Sequence, residues 1–352
     1  MQLLKSILLI VMIFTLSTSY ATTQDQKYIE ALWPAEQAEL ILRAKKDIYY
    51  TGEENTKNYY AHFSFPENQK DETLLIITGI EDPVPLWFDT VIKAKDYGFK
   101  KVYVVELRGQ GQSQRVPGNT KNLIHIKSFE NYYLDLISAL RNIKSKGGFN
   151  KTVHVISHST GSLVLGNSLK RIKEDLPSIH FGAFAFWTPL VSLKISPLIN
   201  NAIIRPIISL VEKIYSACYG TMVAKKYIPQ AFEENRLTTD PNKFKTYESI
   251  CYEHGLGSSG VSIRWVLESL KASQIFREKS LNNINVPTVI LKAENDLIVK
   301  NNFSYQNKHV SDFTIKSAKH ALNIERFDVF NKVINKTFSF FKKQSRKNTS
   351  KL

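Results

Sequence analysis

The sequence predicts an α/β protein built on one mostly parallel sheet, with helices on both faces and an inserted helical cap. Short apolar runs alternate with helical patterns along most of the chain, as expected of strands buried on both faces and joined by crossover helices. A tight serine turn joins one of these runs to a helix, and an acid and a histidine follow in that order, each just past a later strand end. A chain of 352 residues can hold one large α/β domain or two small ones. Its 43% apolar and 22% charged residues are a globular balance that excludes disorder throughout. With 15 Gly and 12 Pro it is neither fibrous nor of low complexity.

Residues 1–21 read as a secretory signal peptide. Lys5 gives a positive start, residues 7–16 are apolar apart from Thr15, and Ser19 and Ala21 are small residues at the positions a signal peptidase reads. Cleavage would leave residues 22–352 as an exported protein, periplasmic or secreted. An uncleaved membrane anchor is the alternative, disfavoured by the short apolar run. No cysteine follows that run, so a lipoprotein anchor is not indicated.

Residues 59–65 are expected to form an antiparallel strand. Parallel strands are expected at 73–78, 101–106, 152–157, 181–186, 287–292 and 312–316, each a short apolar run. Helices are expected at 86–97, 129–144, 161–173, 261–277 and 326–342. In the second of these, Tyr133, Leu136, Ile137 and Leu140 recur on one face. The alternation stops between about residues 192 and 260. An insertion there reads as a cap over the carboxyl ends of the strands, where open α/β sheets hold their sites; helices that extend the core are the alternative. Residues 196–232 combine many apolar side chains with Arg205, Lys213, Lys225 and Lys226, and their apolar face is expected to wall an acyl chain. The basic tail, residues 342–352, is expected to fray.

Ser157-His158-Ser159-Thr160-Gly161 lies between a strand and a helix. This is the setting of a nucleophile elbow, in which a sharp reversal exposes the central Ser159 hydroxyl and small residues are needed two places to either side. Gly161 meets that need, and Ser157 stands where glycine is usual. A serine nucleophile needs a base, and the base needs an orienting carboxylate. Asp296 follows the strand at 287–292 and His320 follows the strand at 312–316, so Ser159, Asp296 and His320 fall on three loops at one sheet edge. Glu294, nearer its strand end, is the competing acid. Backbone N–H groups should bind the oxyanion. Thr160 supplies one, and Ile80, after Gly79 on the loop leaving the strand at 73–78, is the second candidate.

No HxH pair is present, the one HxxxH pair, His154 and His158, runs along an expected strand rather than a helix face, and neither a metal site nor a cofactor is expected. His154 lies inside a strand and reads as a packed core residue. His158 sits beside the nucleophile and is expected to point elsewhere. The net charge of +15 favours peripheral contact with anionic membrane. No single basic block is present to track a nucleic-acid backbone. Cys218 and Cys251 are the only cysteines, and export would favour a disulfide between them.

The segment Glu106-Leu107-Arg108-Gly109-Gln110-Gly111-Gln112-Ser113 resembles the Asp-x-Arg-Gly-x-Gly-x-Ser segment of α/β-hydrolases. It is most similar to the monoacylglycerol lipase and bacterial lysophospholipase branch of the serine aminopeptidase-like family. His125 with Phe129, residues 258–272 and the loops carrying Asp296 and His320 extend the resemblance over roughly residues 50–342. Departures are Glu106 for Asp, Thr78 for His, Ser157 for Gly, and Ala321 where an acidic residue often follows the histidine. The resemblance implies the α/β-hydrolase fold and hydrolysis of a lipid or small ester, a lysophospholipid or a monoacylglycerol foremost. A peptidase of the same fold and a non-catalytic binding protein on a hydrolase scaffold are the alternatives. For Arg108 it implies a structural role rather than phosphate binding.

Overall fold

The computed structural model describes residues 26, 29–115, 123–195, 201, 203–219 and 230–349, without the side chains of 216–219 and 347–349. The signal-peptide reading of residues 1–21 lies outside them. The chain forms two compact units, residues 1–45 and 46–352. The first carries helix α1 (Ala35–Ala44), which begins directly after Pro34 and buries Ala38 and Ile41.

The main sheet uses eight strands: β1 (Lys45–Thr51), β2 (Lys57–Ser64), β3 (Lys70–Ile77), β4 (Phe99–Val105), β6 (Thr152–His158), β7 (Phe181–Trp187), β9 (Thr288–Ala293) and β10 (Val310–Ile315). Strands β5 (Leu123–Ile124) and β8 (Gly260–Val261) pair separately. The main order is β1-β2-β4-β3-β6-β7-β9-β10. Strand β2 runs antiparallel to β4, and every pairing from β4 to β10 is parallel. Crossovers run through α2 (Phe88–Tyr97), α3 (Glu130–Ser145) and α4 (Thr160–Asp175). Between β7 and β9 come α5 (Ile204–Tyr219), α6 (Pro241–Glu248) and α7 (Ile263–Ile275), and α8 (Phe327–Thr349) closes the chain. This is the α/β-hydrolase architecture the sequence predicts.

The core explains the pattern. The last five residues of β3 and the last six of β6 are buried, so both strands read as apolar runs rather than alternations. Trp87 stacks on Trp187 at 5.6 Å between ring centroids, and Trp187 Nε1 donates to Thr337 Oγ1 at 3.0 Å on α8. His154 is a core residue as expected, with its ring 4.7 Å from that of Phe341.

Four details depart from expectation. Strand β1 is additional to the expected strands, because KKDIYYT is a polar sequence on the sheet's outer edge. Strand β10 forms the other edge, with only its terminal residues buried; Lys292 and Asp312 pair across it at 2.8 Å, the charged dressing typical of an edge. On α3 the fully buried ring is Tyr132, while Tyr133 lies at the margin and accepts from Asn167 at 2.8 Å. The basic tail does not fray from residue 342: α8 continues to Thr349.

Candidate active site

Ser159 sits between β6 and α4 with φ 48° and ψ −115°. A side-chain-bearing residue held at positive φ is strained, and here the turn from strand to helix requires it. The crowding is direct: a Cβ at Gly161 would lie 2.5 Å from the carbonyl oxygens of Ile77 and Thr78. Ser157 stands where glycine is usual; its hydroxyl donates to Ser162 Oγ at 3.0 Å and Ser162 returns a bond to the Ser157 carbonyl at 2.8 Å.

The three loops converge. His320 Nε2 lies 2.9 Å from Ser159 Oγ, and His320 Nδ1 lies 2.8 Å from Asp296 Oδ2. The other Asp296 oxygen accepts the N–H groups of Ile298 and Val299 at 2.8 and 2.9 Å. All three side chains are buried. Glu294 points to solvent instead, paired with Lys316 at 2.7 Å, so Asp296 is the acid in contact with the imidazole. Burial pushes His320 below its usual 6.5, against the pull of the Asp296 carboxylate. For Asp296, burial raises the pKa, but His320 and the two backbone N–H groups outweigh it and leave the carboxyl below its ordinary value. A hydroxyl, a neutral imidazole and a carboxylate in this line can activate the hydroxyl for attack on a carbonyl carbon.

Ile80, Ser159, Thr160 and His320 line one cavity of about 310 Å³. The N–H groups of Ile80 and Thr160 have no hydrogen-bond partner among the described residues, which leaves both free for an oxyanion. Leu86, Leu190, Leu193, Leu237, Phe244 and Trp265 supply apolar wall, and of these Leu193, Leu237 and Phe244 belong to the insertion. Here the expectation for residues 196–232 is corrected over α5. Among their described residues only Gln230 reaches the cavity, because α5 turns its apolar side outward: Ile207, Leu210 and Ile214 are each 58% exposed. Lys225 and Lys226 lie outside the described residues.

A family profile described as Serine aminopeptidase, S33 matches residues 69–323. The chain belongs to that family. No curated protein sequence matches it. Solved structures confirm the fold at low identity. A soluble variant of monoglyceride lipase from Saccharomyces cerevisiae, in complex with a substrate analogue, is 16% identical, with a TM-score of 0.64 over 85% of this chain and 96% of that one. The monoacylglycerol lipase of Paleococcus ferrophilus is also 16% identical, with a TM-score of 0.57 over 80% and 99%. A carboxyl esterase from Bacillus coagulans is 11% identical, with a TM-score of 0.61 over 85% and 98%.

At Glu106 and Ala321, two positions that depart from the usual family pattern, the structure shows specific local bonds. Glu106, in place of Asp, accepts the N–H groups of Val84 at 2.8 Å and Gln112 at 2.7 Å, tying the loop after β3 to its own segment. Arg108 is buried against Asp135, with Nη2 2.7 Å from Oδ1, and also donates to the Glu53 carbonyl at 2.9 Å; its role is structural. Ala321 donates its N–H to the Leu237 carbonyl at 2.8 Å, joining the insertion to the residue after His320. Cys251 is a buried free thiol, so the expected disulfide is not formed; the Cys218 side chain lies outside the described residues.

Sequence reasoning missed one pair. His158, expected to point elsewhere, is among the residues that line the cavity, and its ring is held on both sides. Its Nδ1 lies 2.8 Å from Asp82 Oδ2 and its Nε2 lies 3.3 Å from the His320 carbonyl. Asp82 also accepts the Gly79 N–H at 2.9 Å and Asn323 Nδ2 at 3.1 Å. Its position three residues past Gly79, beside a histidine flanking the nucleophile, was the available signal, but nothing in the sequence brings the two together.

Proposed function

We propose that the protein is an exported serine hydrolase that cleaves acyl esters of single-chain lipids, lysophospholipids or monoacylglycerols. The observation that carries this reading is the Ser159–His320–Asp296 chain opening into a mostly apolar cavity. Ser159 Oγ attacks the ester carbonyl as His320 Nε2 takes its proton, and Asp296 holds the imidazole tautomer and stabilises the imidazolium. The Ile80 and Thr160 N–H groups bind the oxyanion. Collapse expels the alcohol, protonated by His320, and leaves Ser159 acylated. Water, deprotonated by His320, then releases the fatty acid. The segment from Asn235 to Glu248 acts as the cap wall, and burial of the acyl chain contributes about 0.8 kcal/mol per methylene. The two monoglyceride lipases of the same fold support this substrate class.

The family description and two carboxylates at the cavity, Glu81 and Glu248, favour a second reading, an aminopeptidase that grips a substrate ammonium. Burial pushes the Glu81 carboxyl up, only partly offset by its bond from Ser258, which weakens its claim as a counter-ion. A panel of esters and aminoacyl amides decides. The lipid reading expects kcat/KM to rise with acyl length until the cavity is full. Equal rates on short and long esters, or faster cleavage of aminoacyl amides, overturn it.

We also propose membrane contact through α5. Ile203, Ile207, Leu210, Val211 and Ile214 form an exposed apolar stripe at helical spacing, and the chain carries a net charge of +15. A stripe of this kind suits the interface of an anionic bilayer. Protein recovered outside the cytoplasm should begin at Thr22 and co-sediment with phosphatidylglycerol vesicles, less so at high salt. Leu210→Glu with Ile214→Glu should abolish sedimentation and leave hydrolysis of soluble esters unchanged. Undiminished sedimentation of that variant, or an uncleaved residue 1 in the exported protein, counts against these assignments.

A further inference from the structure

We infer that Gln110 is a positioning residue for the oxyanion site, holding the peptide whose N–H belongs to Ile80. The inference rests on the serine-hydrolase reading and concerns the same site. Gln110 is fully buried, and its side-chain amide spans the loop after β3. Nε2 donates to the Gly79 carbonyl at 2.6 Å, and Oε1 accepts the Glu81 N–H at 2.7 Å. The partners fix the orientation of the amide, because a backbone carbonyl can only accept and a backbone N–H can only donate.

The Gly79 carbonyl and the Ile80 N–H belong to one planar peptide unit and point in opposite directions. A donor fixed on the carbonyl therefore sets the direction of the N–H. The opposite edge of Gly79 is held too, since its own N–H donates to Asp82 Oδ2, which His158 engages in turn. The unit cannot retreat from the nucleophile without breaking these bonds. It is also pressed against the nucleophile turn: a Cβ at Gly79 would lie 2.8 Å from His158 Nδ1 and 3.3 Å from Ser159 Cβ. Glu81, the next residue but one, has φ 55°, a turn that its N–H bond to Gln110 keeps closed. Without the amide, the Gly79 carbonyl would lose its buried donor, and rotation of the peptide to recover one would turn the Ile80 N–H off the oxyanion. Preorganisation of such donors is a large part of acyl-transfer catalysis.

Gln110→Glu tests this with almost no change of shape. An ionised carboxylate still accepts the Glu81 N–H but cannot donate to the Gly79 carbonyl. Active sites are first titrated with a fluorophosphonate, so that rates are per labelled Ser159. Wild-type labelling at Ser159 tests the parent reading separately. On a short soluble ester, kcat per titrated site should fall about 10- to 100-fold with KM within about twofold, somewhat less than removal of a whole oxyanion donor. Affinity for a trifluoromethyl ketone, whose adduct places an oxyanion in the site, should fall by the same factor as kcat/KM. If Gln110→Glu yields no titratable protein, Gln110→Met carries the same measurements. A kcat per site within about twofold of wild type, a loss confined to KM, or unchanged ketone affinity overturns the inference. Failure of both variants to give titratable protein also overturns it, by making Gln110 a folding residue.

Discussion

Ser159→Ala is expected to lower kcat by roughly 10⁴-fold or more, and His320→Ala by a similar factor. The two groups lie 2.9 Å apart and act on one proton, so the double variant should be little worse than either single one. Initial rates on a short soluble ester measure this without interference from micelles or vesicles. The same assay reads the protonation of the base. The neutral imidazole is the active form, and burial holds His320 below its usual 6.5. Activity of the wild type should therefore persist below pH 6.5 and be lost only as the medium falls through a lower midpoint. An acid limb centred above 6.5 would contradict the buried, neutral base.

Asp296→Asn is the second large effect, a loss of roughly 10³- to 10⁴-fold in kcat. An amide in place of the carboxylate can present its NH₂ to the imidazole, favour the wrong tautomer, and no longer stabilise the imidazolium. Glu294→Gln is the matched control and should leave kcat within about twofold. Glu294 is exposed and is tied to Lys316 and the Ser317 N–H, not to His320. Parallel kinetics on the two variants decide between the acids. A severe loss in Glu294→Gln with near-normal Asp296→Asn would reverse the assignment.

The parts legible in the sequence were those set by burial and by short spacing. Strands β3, β6 and β7 are buried along most of their length, so they stood out as apolar runs. Ser159 follows directly on the end of β6, and Asp296 and His320 lie on the loops leaving β9 and β10, so locating the strands located them. Strand β1 was not legible because it is a polar edge. Residues 196–232 looked like cavity wall because apolar periodicity reports an apolar face, not the direction it faces; α5 turns that face outward. The insertion residues that do line the cavity, such as Leu237 and Phe244, lie in shorter segments with less pattern. The contacts of His158 with Asp82, and of Gln110 with Gly79 and Glu81, join residues that are 76, 31 and 29 positions apart. Single-chain periodicity carries no information about such pairs. The disulfide expectation failed for a related reason: compartment and count favour pairing, but packing decides, and Cys251 is buried close against the backbone of Gly257.

The most direct measurement of the central claim is intact-protein and peptide mass spectrometry after exposure to a long-chain fluorophosphonate. One adduct per chain, located at Ser159, formed by wild type and absent from Ser159→Ala, is the expected result. The rate should increase with alkyl length as the cavity between Leu190 and Phe244 fills. No adduct on folded wild-type protein, an adduct at another residue, or undiminished labelling of Ser159→Ala would contradict the serine mechanism.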